Sequence, residues 1–454
     1  YDRNGLPLAT SNWDELEKHR AEYKQLGIDI DRACPKTDAR YYAFGGAMFE
    51  LLGDLRTRAR WAATNTSFVE RDSSRRLRGY DDRPTLVQVK DPRTGAMTRV
   101  VRYDYRELVP LLRHRYDPQN PAVRRVLDRP RDVHMSVDAR LQLRVAEILK
   151  AQLQQAGQDK GAAVVLDPAT GDLLAAVSLP EPSGQENEDT SLDRARYGLY
   201  PPGSTFKVVT AMAALRKDPS LTQKTYQCIR LPDGRVGNFV GNSKRPIRDD
   251  VQDHEPHGSL NMERGLIVSC NAYFAQLGAY DVGAQPLTDT ANLLGISIGK
   301  VKNALPQSAY GQGEVVASPF QMARVAATVA NAGMAPQGRW VTDETNARTG
   351  APQPVLGADI AQTLAKFMRE VVTSGTGRRA SGAGVAIAGK TGTAELADAP
   401  SHAWFIGYAP YGAASGARKI AFAVLVEHGV YGGTAAAPAA AEIANAAVKL
   451  GLIR

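Results

Sequence analysis

The sequence YPPGSTFK at residues 200–207 lies between a polar loop and a largely apolar run at residues 208–215. Two prolines and a glycine make this approach rigid and tight, and serine is favoured where a helix starts. We therefore predict that a helix begins at Ser204. Because residues three apart share one helix face, the hydroxyl of Ser204 and the amine of Lys207 would lie within reach of each other.

A lysine beside a serine can turn that serine into a nucleophile. The lysine takes the serine proton if burial or a second cation lowers its pKa from about 10. The helix N-terminus adds free N–H groups where an oxyanion would form. Serine and lysine are common, however, so Ser-x-x-Lys alone is weak support for catalysis. The rest of the chain must decide whether Ser204 is catalytic.

Length and composition describe an ordinary globular protein. The chain has 454 residues, of which 43% are hydrophobic and 23% are charged, so we expect two or three domains. No run approaches the ~20 apolar residues of a membrane span, and no signal-peptide pattern opens the chain. Because the chain begins at Tyr1 rather than Met, we expect a mature or trimmed piece that lacks an N-terminal membrane anchor.

The net charge of +8 comes from scattered arginines, with clusters at residues 75–78 and 124–131. Acidic residues or prolines lie close to both clusters, and no aromatic platform accompanies them. We therefore interpret them as a solvated face and predict no nucleic-acid partner. A basic surface would also suit an anionic membrane or a cell wall.

The potential metal ligands show no familiar spacing. Cys34, Cys228 and Cys270 form no C-x-x-C motif, and their odd number leaves a single disulfide open. A polar segment at residues 249–257 contains further potential ligands, whose spacing fits no standard helix-borne zinc motif. They are Asp249, Asp250, Asp253, His254, Glu255 and His257. We predict no metal and no cofactor.

The chain changes character near residues 129–132. Residues 1–134 are polar, rich in arginine and only weakly periodic, with no catalytic constellation. From Asp138 onward, apolar residues recur at helical spacing until Gly157, which predicts a helix. We place a domain boundary before Met135, which gives an N-terminal domain at 1–134 and a second domain at 135–454.

The second domain has strand patterns at both of its ends. A hairpin is predicted at residues 162–177, and strands are predicted at 385–394, 403–408 and 420–427. Residues 204–367 are mostly helical in pattern, and an alanine-rich helix covers about 435–450. This order predicts an α+β fold, in which an antiparallel sheet assembled from distant segments packs against a helical lobe.

Two further motifs follow Ser204 and Lys207 in order. The second is SCN, which places Ser269 and Asn271 after an apolar stretch, and the third is KTGT at residues 390–393. Each motif alone is weak, but the ordered trio is strong. With these motifs the chain resembles the penicillin-binding protein and serine β-lactamase superfamily.

The resemblance implies a role for each catalytic residue. Ser204 would attack a carbonyl and form an acyl-enzyme, and Lys207 would take its proton, with Lys390 as the nearby cation. Ser269 could pass that proton to the leaving amine. Asn271 could hold a peptide group of the substrate.

The third motif would bind the substrate. Thr391 and Thr393 offer hydroxyls to a carboxylate, although threonine is also an ordinary strand residue. Gly392 would let a peptide approach the strand closely. The backbone N–H groups of Ser204 and Thr393 are the oxyanion hole that the resemblance implies.

Other segments narrow the resemblance to class B penicillin-binding proteins, which are monofunctional peptidoglycan transpeptidases with an N-terminal pedestal domain. DRNGLPLA at 2–9 resembles their segment after the membrane anchor, and DVHMSVD at 132–138 resembles the start of their transpeptidase domain. GQG at 311–313 also matches, and we predict that it is a tight turn. WFIGY at 404–408 matches too, with Trp404 and Phe405 predicted in the sheet core.

The class implies a periplasmic or extracytoplasmic enzyme that crosslinks stem peptides, releases D-alanine and is acylated by β-lactams. Its implied partner is a membrane-embedded glycosyltransferase of the shape, elongation, division and sporulation family. YPPG before Ser204 favours an elongation role, which concerns cell shape. The alternatives are a D-alanyl-D-alanine carboxypeptidase, a β-lactamase or β-lactam sensor, and a non-catalytic scaffold. Glu314 is the sole acidic residue in 290–342, which disfavours rapid deacylation.

Overall fold

The architecture comes from a computed structural model, which describes residues 1–182, 192–241, 243–299, 301, 304–342, 351–414 and 416–454. Short helices dominate before residue 135, and longer helices surround a sheet after it. Within the described ranges, no helix is both long enough and apolar enough to cross a membrane.

Residues 1–134, which we call the N-terminal region, contain short helices and one isolated hairpin. Frequent glycine, proline and arginine interrupt the apolar periodicity that a longer helix would need. In chain order the elements are α1 Trp13–Lys18, α2 Arg20–Gln25, α3 Ile30–Ala33, α4 Gly46–Leu52, α5 Val69–Asp72, α6 Ser74–Arg78, β1 Thr85–Lys90, β2 Met97–Arg102, α7 Val109–Arg113 and α8 Pro121–Leu127.

The remaining residues contain a sheet, a helical lobe and a smaller sheet. Short 3₁₀ turns precede several helices, the most important being Gly203–Phe206. In chain order the elements are α9 Ala139–Gln155, β3 Gly161–Leu166, β4 Leu173–Leu179, α10 Lys207–Lys217, β5 Tyr226–Arg230, β6 Val236–Asn238, β7 Ile247–Arg248, β8 Gly258–Leu260, α11 Met262–Ile267, α12 Asn271–Leu277, α13 Ala284–Leu293, α14 Leu305–Ser308, α15 Pro319–Ala330, β9 Met334–Ala335, β10 Gln353–Pro354, α16 Ala358–Thr373, β11 Ala388–Ala394, β12 His402–Ala409, β13 Ile420–Val426, α17 Gly432–Ala435 and α18 Ala437–Lys449.

The main sheet has five antiparallel strands in the order β11-β12-β13-β3-β4. Every residue of β3, β4, β12 and β13 is buried, because helices cover both faces. On one face Val164 packs in a cluster with residues of α15, and on the other Val165 packs with residues of α9 and α18. The predicted α+β architecture with a sheet built from distant segments is confirmed.

The local predictions for this part of the chain agree closely with the structure. Helix α9 begins after Asp138, whose side chain accepts hydrogen bonds from the N–H groups of Arg140 and Leu141. The predicted hairpin is β3-β4, and the predicted strand at 385–394 begins at Ala388. The prediction that residues 204–367 are mostly helical misses a four-stranded sheet of order β7-β6-β5-β8. Its strands are two to five residues long, too short for a periodic signal.

A buried glutamine closes the outer edge of the main sheet. Gln142 of α9 donates from Nε2 to the Ala176 carbonyl at 2.7 Å and accepts from the Ala176 N–H at 2.8 Å. Its Nε2 also donates to the carbonyl of Ala47 in the N-terminal region at 2.9 Å. In the described part of the chain β4 is the last strand of the sheet, so Gln142 takes the place of a neighbouring strand at that position.

We predict that Gln142→Leu lowers the free energy of unfolding by about 2–4 kcal/mol, because it leaves the buried backbone N–H and carbonyl of Ala176 without their partners. Gln154→Leu, on the exposed face of the same helix, should change it by no more than about 0.5 kcal/mol. Urea unfolding of both variants checks this. Equal stability of the two variants would contradict the assigned role of Gln142.

Candidate active site

The turn Gly203–Phe206 carries the predicted nucleophile Ser204. This turn, which we call the nucleophile turn, is shaped by a glycine that touches the third motif. Gly203 has a φ of +53°, and a Cβ on it would lie 2.3 Å from the carbonyl oxygen of Thr393. Only glycine fits both constraints. The turn Gly203–Phe206 is 3₁₀, and the α-helix begins at Lys207, so the prediction that the helix begins at Ser204 is three residues early.

Lys207 is the centre of the site. Its Nζ donates hydrogen bonds to Ser204 Oγ at 2.8 Å, to Asn271 Oδ1 at 2.7 Å and to Ser269 Oγ at 3.3 Å. It also contacts the backbone carbonyl oxygen of Ser269. The structure therefore brings the first two motifs together around one amine.

Ser269 connects this amine to the second lysine. Lys390 Nζ donates to Ser269 Oγ at 2.8 Å and to the Thr391 carbonyl at 3.0 Å. Ser269 has a φ of +61°, an uncommon conformation for a residue other than glycine. It occupies the tight link between α11 and α12, and that link aims its hydroxyl at both amines.

The two amines are fully buried, with an exposed fraction of 0% for Lys207 and for Lys390. Burial lowers the pKa of Lys207 from 10.5 to about 8, although the charge of Asp249 opposes this shift. Burial also lowers the pKa of Lys390 well below its usual range, and the Lys207 charge lowers it further. The motif pattern predicts that Lys390 is the charged lysine. The pKa shifts instead favour a charged Lys207 and a neutral Lys390 in the free protein.

Both ends of the Asn271 side-chain amide are hydrogen-bonded, which fixes its orientation. Its Oδ1 accepts from Lys207, and its Nδ2 donates to the Arg248 carbonyl at 2.9 Å. An amide NH₂ has two donors, so one N–H of Asn271 is left for a substrate carbonyl.

The third motif lies on β11, an edge strand of the main sheet. A Cβ on Gly392 would lie 2.8 Å from Thr205 Cγ2 and 3.0 Å from the Pro202 carbonyl. Gly392 is therefore required for close packing against the nucleophile turn, which is a different reason from the substrate approach that the motif suggests. Thr391 Oγ1 lies 2.5 Å from Thr376 Oγ1.

These groups open into a cleft with a volume of about 320 Å³. Ser204, Ser269, Asn271, Thr391 and Thr393 line it, while the two lysines lie behind its wall. The wall also includes Gln312 of the GQG segment and Asp250, Gln252 and Asp253 of the polar segment. Its other residues lie outside the segments that the sequence analysis singled out: Val268, Tyr310, Gly375, Thr376, Arg378, Arg379, Glu395, Tyr431, Gly433 and Thr434.

Asp249 supports the second motif from behind. Its Oδ1 accepts from the backbone N–H groups of Asn271 and Ala272, the latter at 3.1 Å. Its Oδ2 accepts from the thiols of Cys228 and Cys270, each at 3.0 Å. The carboxylate is almost fully buried, with an exposed fraction of 2%, so it fixes the backbone that carries Ser269 and Asn271.

Four donor atoms converge at this point. Ligand atoms of Cys228, Asp249, His257 and Cys270 lie within 4.8 Å of one another. Two thiols, an imidazole and a carboxylate form a donor set that suits Zn²⁺, and four protein ligands are typical of a structural rather than a catalytic site. The sequence predicts no metal here because β-strand pairing, and not helical spacing, brings Cys228 to the other three.

The rest of the polar segment and the third cysteine lie outside this cluster. Asp253 is 3.5 Å from His257 Nε2, and Glu255 pairs with Arg230. All three cysteines are buried and free of disulfides. Elsewhere the predicted core positions of Trp404 and Phe405 are confirmed, since both are fully buried.

We predict that Zn²⁺ added to metal-free protein raises its thermal unfolding midpoint, with a stabilisation of about 2.7 kcal/mol at a hundredfold excess over the dissociation constant. Cys228→Ala and His257→Ala should remove the response. Cys34→Ala, which removes a buried cysteine outside the cluster, should keep it. An unchanged midpoint with Zn²⁺, or an equal response from all variants, would show that the cluster holds no zinc.

Comparisons with known proteins agree with this geometry. Residues 161–445 match the family described as the penicillin binding protein transpeptidase domain. The peptidoglycan D,D-transpeptidase PbpA of Mycobacterium tuberculosis is 31% identical over 363 residues, which are 66% of this chain and 72% of that protein.

The fold is also similar to those of solved penicillin-binding proteins. The crystal structure of PBPA from Mycobacterium tuberculosis has a TM-score of 0.65 at 26% identity, and the alignment covers 90% of this chain and 93% of that chain. The imipenem acyl-enzyme of penicillin-binding protein A from the same organism has a TM-score of 0.59 at 26% identity, with 80% and 96% covered. With one family covering most of its residues and three motifs meeting in one cleft, this chain belongs to the class B penicillin-binding protein transpeptidases.

Proposed function

We propose that the protein is a peptidoglycan D,D-transpeptidase that crosslinks stem peptides through an acyl-enzyme on Ser204. The observation that carries this function is the 2.8 Å hydrogen bond from Lys207 Nζ to Ser204 Oγ in a site where burial lowers the lysine pKa to about 8. The amine can therefore lose its proton near physiological pH and accept the proton of the nucleophile.

In the first step, Ser204 Oγ attacks the carbonyl carbon before the terminal D-alanine while its proton moves to Lys207. The tetrahedral intermediate collapses when the C–N bond breaks and the D-alanine amine takes a proton. Ser269 Oγ contacts both amines, at 3.3 Å and 2.8 Å, so it can deliver that proton without help from bulk water. We assign the oxyanion hole to the backbone N–H groups of Ser204 and Thr393.

In the second step, an amine of a neighbouring stem peptide attacks the ester. Lys207 and Ser269 take up the amine proton and return one to Ser204 Oγ as the C–O bond breaks, by microscopic reversibility. The products are a crosslinked peptide and free enzyme. Water in place of the amine would make the protein a D-alanyl-D-alanine carboxypeptidase.

We assign substrate positioning to the remaining motif residues. Thr391 and Thr393 line the cleft on the edge strand β11, where their hydroxyls can bind the terminal carboxylate of the donor peptide. The free N–H of Asn271 can bind a peptide carbonyl, and an extended donor peptide can lie along the strand edge.

A β-lactamase is the less favoured alternative because it needs a base that directs water at the acyl-enzyme. Glu314 is exposed in the glycine turn and does not contribute to the described wall of the cleft. That wall contains the carboxylates Asp250, Asp253 and Glu395, and no described hydrogen bond joins them to Ser204. A non-catalytic scaffold is disfavoured because the residue types that the proposed chemistry needs are present and are hydrogen-bonded to one another.

We further propose that residues 1–134 form a pedestal domain and residues 135–454 the transpeptidase domain. The catalytic domain would act outside the cell membrane, where stem peptides are, with a membrane-embedded glycosyltransferase of the shape, elongation, division and sporulation family as its partner. The change from short helices to a helix-covered sheet near residue 135 supports the division.

We predict that benzylpenicillin forms a covalent adduct on Ser204 that persists for hours, because no carboxylate of the described cleft wall is hydrogen-bonded to Ser204, where it would direct water at the ester. Intact-protein and peptide mass spectrometry would measure the adduct, and Ser204→Ala should form none. Thr205→Val, which alters a neighbouring hydroxyl within the same turn, is the control that should still react. Rapid loss of the adduct with hydrolysis of the drug would favour the β-lactamase, and absence of any adduct would contradict the proposed nucleophile.

A further inference from the structure

The segment at residues 193–202, which we call the connecting segment, leads directly into the nucleophile turn. Arg196 lies in it, eight residues before Ser204. Its side chain is almost fully buried, with an exposed fraction of 2%. Such deep burial of a guanidinium requires strong hydrogen-bond partners, and those partners come from two distant parts of the chain.

On one side, Arg196 is bound to the connecting segment itself. Its Nε donates to Asp193 Oδ2 at 2.6 Å, and its backbone N–H donates to Asp193 Oδ1 at 3.0 Å. Asp193 Oδ1 also accepts from Ser178 Oγ of β4 at 3.2 Å. The guanidinium lies near the rings of Tyr197 and Trp340, 5.4 Å from each centroid.

On the other side, Arg196 is bound to the N-terminal region. Its Nη2 donates to the backbone carbonyl of Ser67 at 2.8 Å and contacts that of Glu50 in α4. Glu50 itself is paired with Arg60 at 2.7 Å. Both contacts are made to backbone carbonyls. They therefore depend on where the N-terminal backbone lies and not on which side chains it carries.

Both ends of the connecting segment are bound to the main sheet. Arg194 Nε and Tyr200 OH each donate to Glu427 Oε1 at 2.7 Å, directly after β13. Trp404 Nε1 of β12 donates to the Pro201 carbonyl at 3.0 Å. The segment is thus fixed between the N-terminal region and the strands that carry the catalytic wall, which leaves it little freedom to move independently of Ser204.

One donor in this arrangement is unsatisfied. Among the residues that the structure describes, the buried Nη1 of Arg196 has no hydrogen-bond partner, a condition that costs about 1–3 kcal/mol. Because one N–H group of the guanidinium is unpaired, Arg196 can change hydrogen-bond partners when the N-terminal region moves. A junction with every donor satisfied would be harder to shift.

We propose that Arg196 is a positioning residue that couples the N-terminal region to the nucleophile turn, so that its contacts with the carbonyls of Glu50 and Ser67 set the rate at which Ser204 is acylated. The proposal rests on the proposed function, because acylation is its readout. Since coupling free energies are reciprocal, acylation of Ser204 must also change the stability of the N-terminal contacts at Glu50 and Ser67.

The first test separates positioning from simple destabilisation. Arg196→Met should lower the acylation rate constant for benzylpenicillin at least about tenfold, since small misplacements of a nucleophile are costly, with little change in the dissociation constant of the initial complex. Arg196→Lys should recover part of the rate. The control is Arg324→Met. Counted over the whole residue, Arg324 is 7% exposed against 6% for Arg196, and it also donates to two backbone carbonyls.

Arg324→Met should lower the thermal midpoint while its acylation rate constant stays within about twofold of the unmodified protein. If the two methionine variants lose acylation in parallel with their stability, the proposal is overturned. Failure of the unmodified protein to react with benzylpenicillin would instead refute the proposed function, so the two failures are distinguishable.

The second test needs no variant and decides the matter if Arg196→Met does not fold. Amide hydrogen exchange of the unmodified protein is compared before and after reaction with benzylpenicillin. Coupling predicts a change of at least about twofold in the exchange rates of peptides covering residues 46–70, as well as 193–206. A change confined to the cleft, with residues 46–70 unaffected, would overturn the proposal.

Discussion

The site depends on one buried amine. Lys207 Nζ has no access to water, so its hydrogen-bonding capacity must be met by protein atoms, and these come from Ser204, Ser269 and Asn271. The same burial lowers its pKa toward neutrality. Burial therefore has two effects. It brings the separate motifs together around one amine, and it weakens the amine as a base enough that the neutral form, which can accept the Ser204 proton, is populated near pH 8.

Close backbone packing keeps those motifs in register. Gly203 has no room for a side chain against the Thr393 carbonyl, and Gly392 has none against Thr205 and Pro202. The nucleophile turn and strand β11 therefore touch directly, with no side chain between them. A side chain at either glycine would push the turn that carries Ser204 away from strand β11.

The sequence predicts the parts of this site that have local signals. Ser204, Lys207, Ser269, Asn271 and the KTGT strand are marked by motifs, and the helix after Asp138 is marked by its cap and apolar spacing. The structure brings these motif residues together; their individual catalytic roles remain predictions. Long segments with strong periodicity, such as α9 and the main-sheet strands, were therefore accessible from pattern alone.

The features that the sequence does not reveal depend on contacts between residues that are distant in the chain. Nothing near Cys228 marks it as a neighbour of Asp249 and His257, and the short strands that bring it there are below the length of a readable pattern. Arg196 resembles any other arginine until its partners at Ser67 and Glu50 are known. The retained proton on Lys207 likewise depends on two buried amines sharing Ser269, which no motif specifies.

The pH dependence of Ser204 acylation tests the central role of this buried amine. Lys207 cannot accept a proton while it is charged, so the second-order rate constant for benzylpenicillin should rise about tenfold per pH unit below pH 8 and level off above it. The expected midpoint is near the Lys207 pKa of about 8, and a stopped-flow series from acidic to alkaline pH would measure it. A rate constant that is independent of pH, or that keeps rising to the ordinary lysine pKa of 10.5, would contradict the account.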